Sequence, residues 1–143
     1  MDGARITIEA FARILNDGLP GAAELGMEAL ELGPGTAVLR LPFDARLIRP
    51  GGTVSGPSLF ALADCALYGA VLSLAGPVEL AVTTSMTINF LRKPAQRPVI
   101  GKARILKHGK RLSYGEVLLF SEGEGDPVAH ATGTYSIPAP PAP

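Results

Sequence analysis

The strongest structural signals lie in PSLFALADCALYGAVLSLA at residues 57–75 and in AVTTSMTINFL at residues 81–91. The first segment has good helix formers on every face, and it opens with a proline, which suits a first helical turn. In the second segment the even positions, Val82 to Phe90, alternate with mostly polar odd positions. Between the two segments the period of the apolar residues changes from 3.6 residues, typical of a helix, to 2 residues, typical of a strand. The pattern predicts a buried helix followed by a strand with one buried face.

Shorter elements surround this pair. Apolar residues at helical spacing predict a helix over 7–15 with Thr7 as its N-cap, ended by the glycines and proline of 18–21. Two strands are expected within 27–41, a loop over 44–56, and further strands over 98–107, 111–121 and 127–137. Short turns imply antiparallel neighbours. An α+β domain fits this order, with one antiparallel sheet curled around one long central helix.

The composition bounds the class of protein. The 143 residues amount to one domain, which we place at 1–137, followed by a loose Pro/Ala-rich tail at 138–143. With 13 basic and 13 acidic residues the net charge is zero, which argues against a nucleic-acid binder. One cysteine and two histidines leave little for a disulfide framework or a metal site. No signal peptide or membrane span is visible, so we expect a cytoplasmic protein.

Asp64 is the one residue that does not suit a buried helix. It is the only charged residue among the 29 at positions 50–78. An unpaired buried carboxylate is costly, so the side chain must be bonded, protonated or open to a cavity. One alternative is functional, a general base or nucleophile. The other is structural, a carboxylate that bonds nearby backbone or lies on a solvent-facing stripe.

The loop before the helix is the second candidate feature. Gly51, Gly52 and Gly56 allow the backbone to come close to a ligand, although glycines also make ordinary turns. Free N–H groups at a helix start carry partial positive charge and can polarise a carbonyl. Asp64 lies eight residues beyond Gly56, about 12 Å along a helix. If the two cooperate on one reacting atom, they must come from different chains, as in a homodimer with antiparallel central helices.

Basic residues are concentrated after the helix. Residues 80–115 contain no acidic side chain and eight of the thirteen basic ones. Such a field attracts phosphates, and the scarcity of aromatic residues favours a small phosphate-bearing molecule over nucleic acid. The alternative is a solvated strand face whose lysines protect an edge.

Three segments carry a resemblance to a known family: GTVSGPSLFALADCALYGA at 52–70, AVTTSMTINFLRKPA at 81–95, and residues 106–135. Together they resemble the hotdog-fold acyl-CoA thioesterases of the PaaI-like group. In that family a His-Gly-Gly triplet opens the helix and an Asp follows nine residues after the His. Here Ser55-Gly56-Pro57 occupies the triplet, Asp64 stands at the matching place, and Arg49 replaces a usual Asn.

The resemblance implies a homodimer, or a dimer of dimers, that hydrolyses acyl-CoA. By position, Asp64 is the general base or nucleophile, the partner's Gly56 amide polarises the thioester carbonyl, and Thr83 positions the attacking water. Ser55 and Arg49 are expected beside the substrate. The residues implied for coenzyme A phosphates and pantetheine are Arg92, Lys107, Lys110 and Arg111. Coenzyme A enters as part of the substrate, and no separate cofactor or metal is expected.

An apolar pocket at the dimer interface would take the acyl group, with Phe60, Tyr68 and Leu72 as candidate lining residues. We interpret Cys65 as core packing, because a neighbouring carboxylate raises a thiol pKa. Two other functions stay open. A non-catalytic acyl-CoA or acyl-carrier binder would keep the pocket and the basic residues without needing Asp64. A hotdog dehydratase usually needs a histidine on the helix, and no histidine precedes His108.

Overall fold

The computed structural model describes residues 3–139. The chain begins with α1 (Ile8–Arg13), which runs into a π-helical turn (Ile14–Gly18) and then α2 (Pro20–Leu25). Thr7 caps α1 as predicted, its hydroxyl oxygen accepting from the Ala10 N–H at 3.1 Å. The first helical stretch ends at Gly18, as predicted, because Leu19 leaves helical geometry (φ −128°, ψ 86°). The sequence analysis did not predict the second helix, α2, which begins at Pro20 and ends before the left-handed Gly26 (φ 72°); proline is compatible with a first helical turn.

Six strands form one antiparallel sheet in the order β1-β2-β6-β7-β8-β5. Their bounds are β1 (Glu28–Leu32), β2 (Thr36–Leu41), β5 (Val82–Phe90), β6 (Val99–His108), β7 (Leu112–Ser121) and β8 (Pro127–Ser136). The predicted loop 44–56 also contains a 3-10 turn (Ala45–Leu47) and a small hairpin of β3 (Ile48–Arg49) and β4 (Thr53–Val54). The hairpin carries the chain back to the start of the central helix.

The central helix is α3 (Gly56–Ala75), and the sheet curls around it as the sequence predicts. It is as long and apolar as a membrane-spanning helix, but most of it is buried within the fold, as in a core helix. Gly115 and Gly133 lie beneath Leu67, where an added Cβ would collide with the leucine methyls. Glycine at these two strand positions therefore lets the helix lie close to the sheet.

The two edges of the sheet differ. The β1 edge carries Glu28 and Glu31 and has a bulge between Ala29 and Glu31, features that discourage pairing with another chain. The β5 edge, VTTSMTINF, has no charge and no proline. The predicted buried face of β5 is wrong for most of its length in the single chain. Only Met86 and Ile88 are half-buried, packed against the core, and the other seven residues of the strand are exposed.

β8 is the last strand along the chain, and just after it the Ile137 N–H donates to the Arg111 carbonyl at 2.7 Å. Of the predicted tail 138–143, only Pro138 and Ala139 are described. The rest of that prediction lies outside the described residues, and the division into a domain and a tail stays a prediction.

Candidate active site

The start of α3 is an accessible helix N-terminus. Ser55 caps it, its hydroxyl oxygen accepting from the Ser58 N–H at 3.4 Å and lying 2.9 Å from the Ser58 hydroxyl. Gly56 is the first helical residue, so its N–H has no carbonyl partner within the helix. This N–H therefore belongs to the positive end of the helix and is available to a ligand oxygen.

A cavity of about 820 Å³ opens at this helix start, and we call it the amide cavity. The β3–β4 hairpin and the segment after β5 form its walls. It is lined by Gly56 and Ser55, by apolar side chains such as Phe90 and Leu91, and by three cations, Arg49, Arg92 and Lys93. No acidic side chain lines it among residues 3–139. The cavity thus combines a helix N-terminus with positive charge, which favours an anionic or carbonyl oxygen.

Asp64 lies two turns further along α3, half-buried, and two hydroxyl groups bond one of its oxygens. The Tyr135 hydroxyl donates to Asp64 Oδ1 at 2.6 Å, and the Thr83 hydroxyl donates to the same oxygen at 2.7 Å. Tyr135 also lies 3.1 Å from the Asp64 carbonyl oxygen. Thr83 and Tyr135 face each other directly across β5 and β8. The carboxylate is thus fixed by the sheet and forms no ion pair within residues 3–139.

A second cavity of about 520 Å³ lies beside this carboxylate, and we call it the acid cavity. Asp64, Thr83 and Tyr135 line one side, with Glu79 as a second acid. The remaining walls are mostly apolar and come largely from α2 and its flanks; they include Leu19, Ala22, Leu25, Met27 and Ala61. No cation lines this cavity among residues 3–139. It suits an uncharged apolar group held against one carboxylate.

Gly56 and Asp64 line separate cavities of the same chain. Eight residues of one continuous helix separate them, about 12 Å along the axis. A thioester carbon cannot touch both at once within one chain. As the sequence predicts, Gly56 and Asp64 can act on one substrate atom only if a second chain supplies one of them.

The structure divides the predicted basic residues among three places. Arg49 and Arg92 line the amide cavity together with Lys93, which the sequence analysis did not select. Lys110 lines a third cavity of about 760 Å³ at the other end of α3, beside Arg5 and His108. Burial, followed by the nearby Arg5 charge, lowers the pKa of His108. Lys107 and Arg111 line none of these three cavities.

The predicted acyl-pocket residues also separate. Tyr68 lines the acid cavity, whereas Leu72 is completely buried in the core. Phe60 lies on the surface, 37% exposed, and lines none of these cavities. Tyr135 is the functional candidate that sequence reasoning missed. Its place opposite Thr83 follows from strand register, and the sequence contains no local signal for that register.

Cys65 is adjacent to Asp64 and half-buried on the wall of the acid cavity. Burial, with a smaller contribution from the Asp64 charge, raises its pKa to about 12. The thiol stays protonated near neutral pH and is a poor nucleophile, which agrees with its interpretation as a packing residue. Within residues 3–139, no group of three or more His, Cys, Asp and Glu side chains is placed to hold a metal ion.

Comparison with known proteins gives a consistent result. The thioesterase superfamily pattern matches residues 51–128. A solved structure from a Silicibacter species, provisionally named a thioesterase, is 43% identical, covers 95% of this chain and 94% of that one, and superposes with a TM-score of 0.85. A variant of the phenylacetic acid degradation protein PaaI from Thermus thermophilus is 32% identical, with 82% and 98% covered and a TM-score of 0.73. A provisionally named esterase of Saccharolobus solfataricus is 31% identical over 113 residues, 79% of this chain and 74% of its own length.

Proposed function

The chain belongs to the thioesterase superfamily and has its hotdog fold, and on that premise we propose that it hydrolyses acyl-CoA thioesters at a site shared by two copies of the chain. One observation carries the proposal. A single carboxylate, Asp64, is held by two hydroxyls beside an apolar cavity, while an unpartnered helix amide and three cations surround another cavity. Hydrolysis of an acyl-CoA thioester needs a base for the water, a donor to the carbonyl oxygen and cations for the coenzyme A phosphates, and these groups can supply all three.

In this mechanism Asp64 accepts a proton from a water molecule as the water oxygen attacks the thioester carbon. The partner subunit's Gly56 N–H donates to the oxygen that becomes negative. The tetrahedral intermediate then collapses, the C–S bond breaks, and the thiolate takes the proton that Asp64 had accepted, giving free coenzyme A and the carboxylic acid. Asp64 can instead attack as a nucleophile: the C–S bond breaks, the thiolate leaves, and water hydrolyses the mixed anhydride that has formed on Asp64. Thr83, which bonds the carboxylate, remains our candidate for holding the water through its oxygen.

The open β5 edge supports a two-chain site. A second copy pairing along β5 in the antiparallel sense would extend the sheet and run the two α3 helices in opposite directions. Each Asp64 then approaches the start of the partner's helix, and both sites form together. Val82 (56% exposed) and Phe90 (54% exposed), at the two ends of the strand, would also be covered. We propose this dimer as the active unit, with a dimer of dimers as a further assembly.

The charges of the two cavities orient the substrate. Coenzyme A is a polyanion, so its phosphates and pantetheine are placed on the side of Arg49, Arg92 and Lys93 in the amide cavity. The acyl group enters the partner's acid cavity, where Asp64 and Glu79 disfavour an acyl group that carries its own carboxylate. Lys107, Lys110 and Arg111 stay predicted contacts for the phosphates and pantetheine of coenzyme A. We propose a cytoplasmic location, to which the free thiol of Cys65 is suited.

The decisive experiment measures thiol release from a panel of acyl-CoAs by the wild type and by Asp64→Asn. We expect turnover of neutral acyl groups and a fall in kcat of about 10²–10⁴-fold in the variant, because the amide cannot accept the proton. Equal turnover by Asp64→Asn would contradict the assignment. Tight acyl-CoA binding with no thiol release would favour the non-catalytic binder, which the substituted Ser55-Gly56-Pro57 triplet makes the second candidate.

The same experiment tests the shared site by co-expressing Asp64→Asn with Gly56→Pro, which removes the amide hydrogen. Each mixed dimer then has one site with both defects and one intact site. Random pairing should restore about one quarter of the wild-type activity, although each variant alone is nearly inactive. No restoration in a preparation shown by mass spectrometry to contain mixed dimers would place both groups in one chain.

A further inference from the structure

The two carboxylate oxygens of Asp64 differ in their hydrogen bonding. Oδ1 accepts both the Tyr135 and the Thr83 hydroxyl hydrogens, whereas no donor among residues 3–139 bonds Oδ2. No side-chain oxygen or nitrogen in that part of the chain is both buried and unpaired. Oδ2 is therefore accessible, on a residue that lines the acid cavity, and Oδ1 is occupied by the protein.

We propose that Tyr135 is the positioning residue of the proposed hydrolysis, which fixes the Asp64 carboxylate so that Oδ2 alone faces the substrate and takes the proton. The inference rests on the proposed function for its catalytic consequence. The geometry on which it stands is independent of any substrate.

Tyr135 is well placed to hold a carboxylate still. Its side chain is only 4% exposed and stacks on Tyr68, with ring centroids 5.7 Å apart and an angle of 23° between the planes. Tyr68 is itself anchored, because its hydroxyl donates to the Glu79 carbonyl at 3.0 Å and its ring packs on Phe11. The second donor, Thr83, is an exposed residue on the edge strand. Tyr135 is thus the fixed member of the pair.

The hydroxyl of Tyr135 also stays a donor over the working range of pH. Burial, then the Asp64 charge and the hydrogen bond to it, raises the pKa of Tyr135 far above its ordinary value. A donor bonded to an ionised carboxylate stabilises the ionised form. The carboxylate torsion of aspartate is otherwise broad, so losing this bond lets the two oxygens exchange places.

The test compares Tyr135→Phe with Tyr114→Phe, the same chemical change at an exposed tyrosine of β7 that lines none of the three cavities. Each variant loses one hydroxyl, but only the Tyr135 hydroxyl bonds the Asp64 carboxylate. We expect Tyr135→Phe to lower kcat about tenfold with little change in KM.

A readout without turnover separates this inference from the proposed function. The ¹³C chemical shift of the Asp64 carboxyl carbon, measured at one neutral pH, should change in Tyr135→Phe, which has lost a hydrogen bond to this group, and stay as in the wild type in Tyr114→Phe. An unchanged chemical shift in Tyr135→Phe would overturn the inference, whether or not the wild type hydrolyses thioesters. Thermal unfolding controls for packing: a kcat loss in Tyr135→Phe that disappears when the assay is run well below its Tm would reduce Tyr135 to a structural role.

Discussion

The amide cavity and the acid cavity lie along one apolar helix and are chemically opposite. The first has the helix N-terminus and three cations, and the second has two carboxylates within mostly apolar walls. Part of the difference follows from position along α3, since a helix end presents backbone N–H groups whereas a helix middle presents only side chains. The three cations and Glu79 come from segments outside α3. One chain thus carries the two halves of a site that face different spaces.

The largest effect is expected from removing the amide hydrogen of Gly56 in the amide cavity. We expect Gly56→Pro to lower kcat about 10²–10³-fold, because an oxyanion donor disappears. Ser55 is already extended (φ −69°, ψ 150°) and proline is tolerated at a first helical position, so the helix start should survive. Steady-state kinetics with circular dichroism checks both statements.

Gly56→Ala is the matched control. It introduces a Cβ about 3.4 Å from the Phe90 ring, an ordinary contact, and keeps the N–H. We expect it to retain much more activity than Gly56→Pro. If alanine and proline reduce kcat equally, the cause is bulk beside Phe90 and the amide has no role.

A substitution in the acid cavity tests whether the acyl group binds there. Ala61→Leu adds bulk to its wall, and we expect kcat/KM for longer acyl groups to fall about 10–200-fold relative to acetyl-CoA. Ala23→Leu adds the same bulk on the exposed surface of α2 and should leave the chain-length profile as in the wild type. A profile unmoved by Ala61→Leu would place the acyl group elsewhere.

The smallest expected effect concerns the cations of the amide cavity. Arg49 is exposed, so Arg49→Ala should raise KM about two- to fivefold, leave kcat nearly unchanged and weaken the salt dependence of kcat/KM. Arg13→Ala removes an exposed charge on α1 and serves as the control. A change in kcat with KM constant would mean that Arg49 acts at the reacting centre and not on the carrier.

Much of the fold could be predicted from local patterns. The expected helix over 57–75 and the structure's Gly56–Ala75 differ by one residue, because all-round apolarity and a following Gly-Pro are strong local signals. The buried face of β5 could not be predicted from alternation. Alternation identifies two faces, but burial depends on what covers them, and the single chain leaves more than half of Val82 and of Phe90 exposed.

The candidate site divides in the same way. Asp64 stands out in the sequence because it is a lone charge in an apolar segment, and Gly56 because it begins a helix. Tyr135 does not, since it is one aromatic residue in a strand, 71 residues from the carboxylate it bonds. Counting charges also could not show that Arg49, Arg92 and Lys93 line the amide cavity while Lys107 and Arg111 do not.

Local sequence patterns are enough to predict the central helix, the antiparallel strands, the isolated acid and the basic stretch that follows. Periodicity and charge isolation are properties of neighbouring residues, so they can be recognised without coordinates. Three-dimensional packing was needed to learn which hydroxyls bond Asp64, which cations share a cavity with Gly56, and that Asp64 and Gly56 line different cavities. Those outcomes depend on strand register and on how the sheet curls around α3, which are set by contacts between residues far apart in the chain.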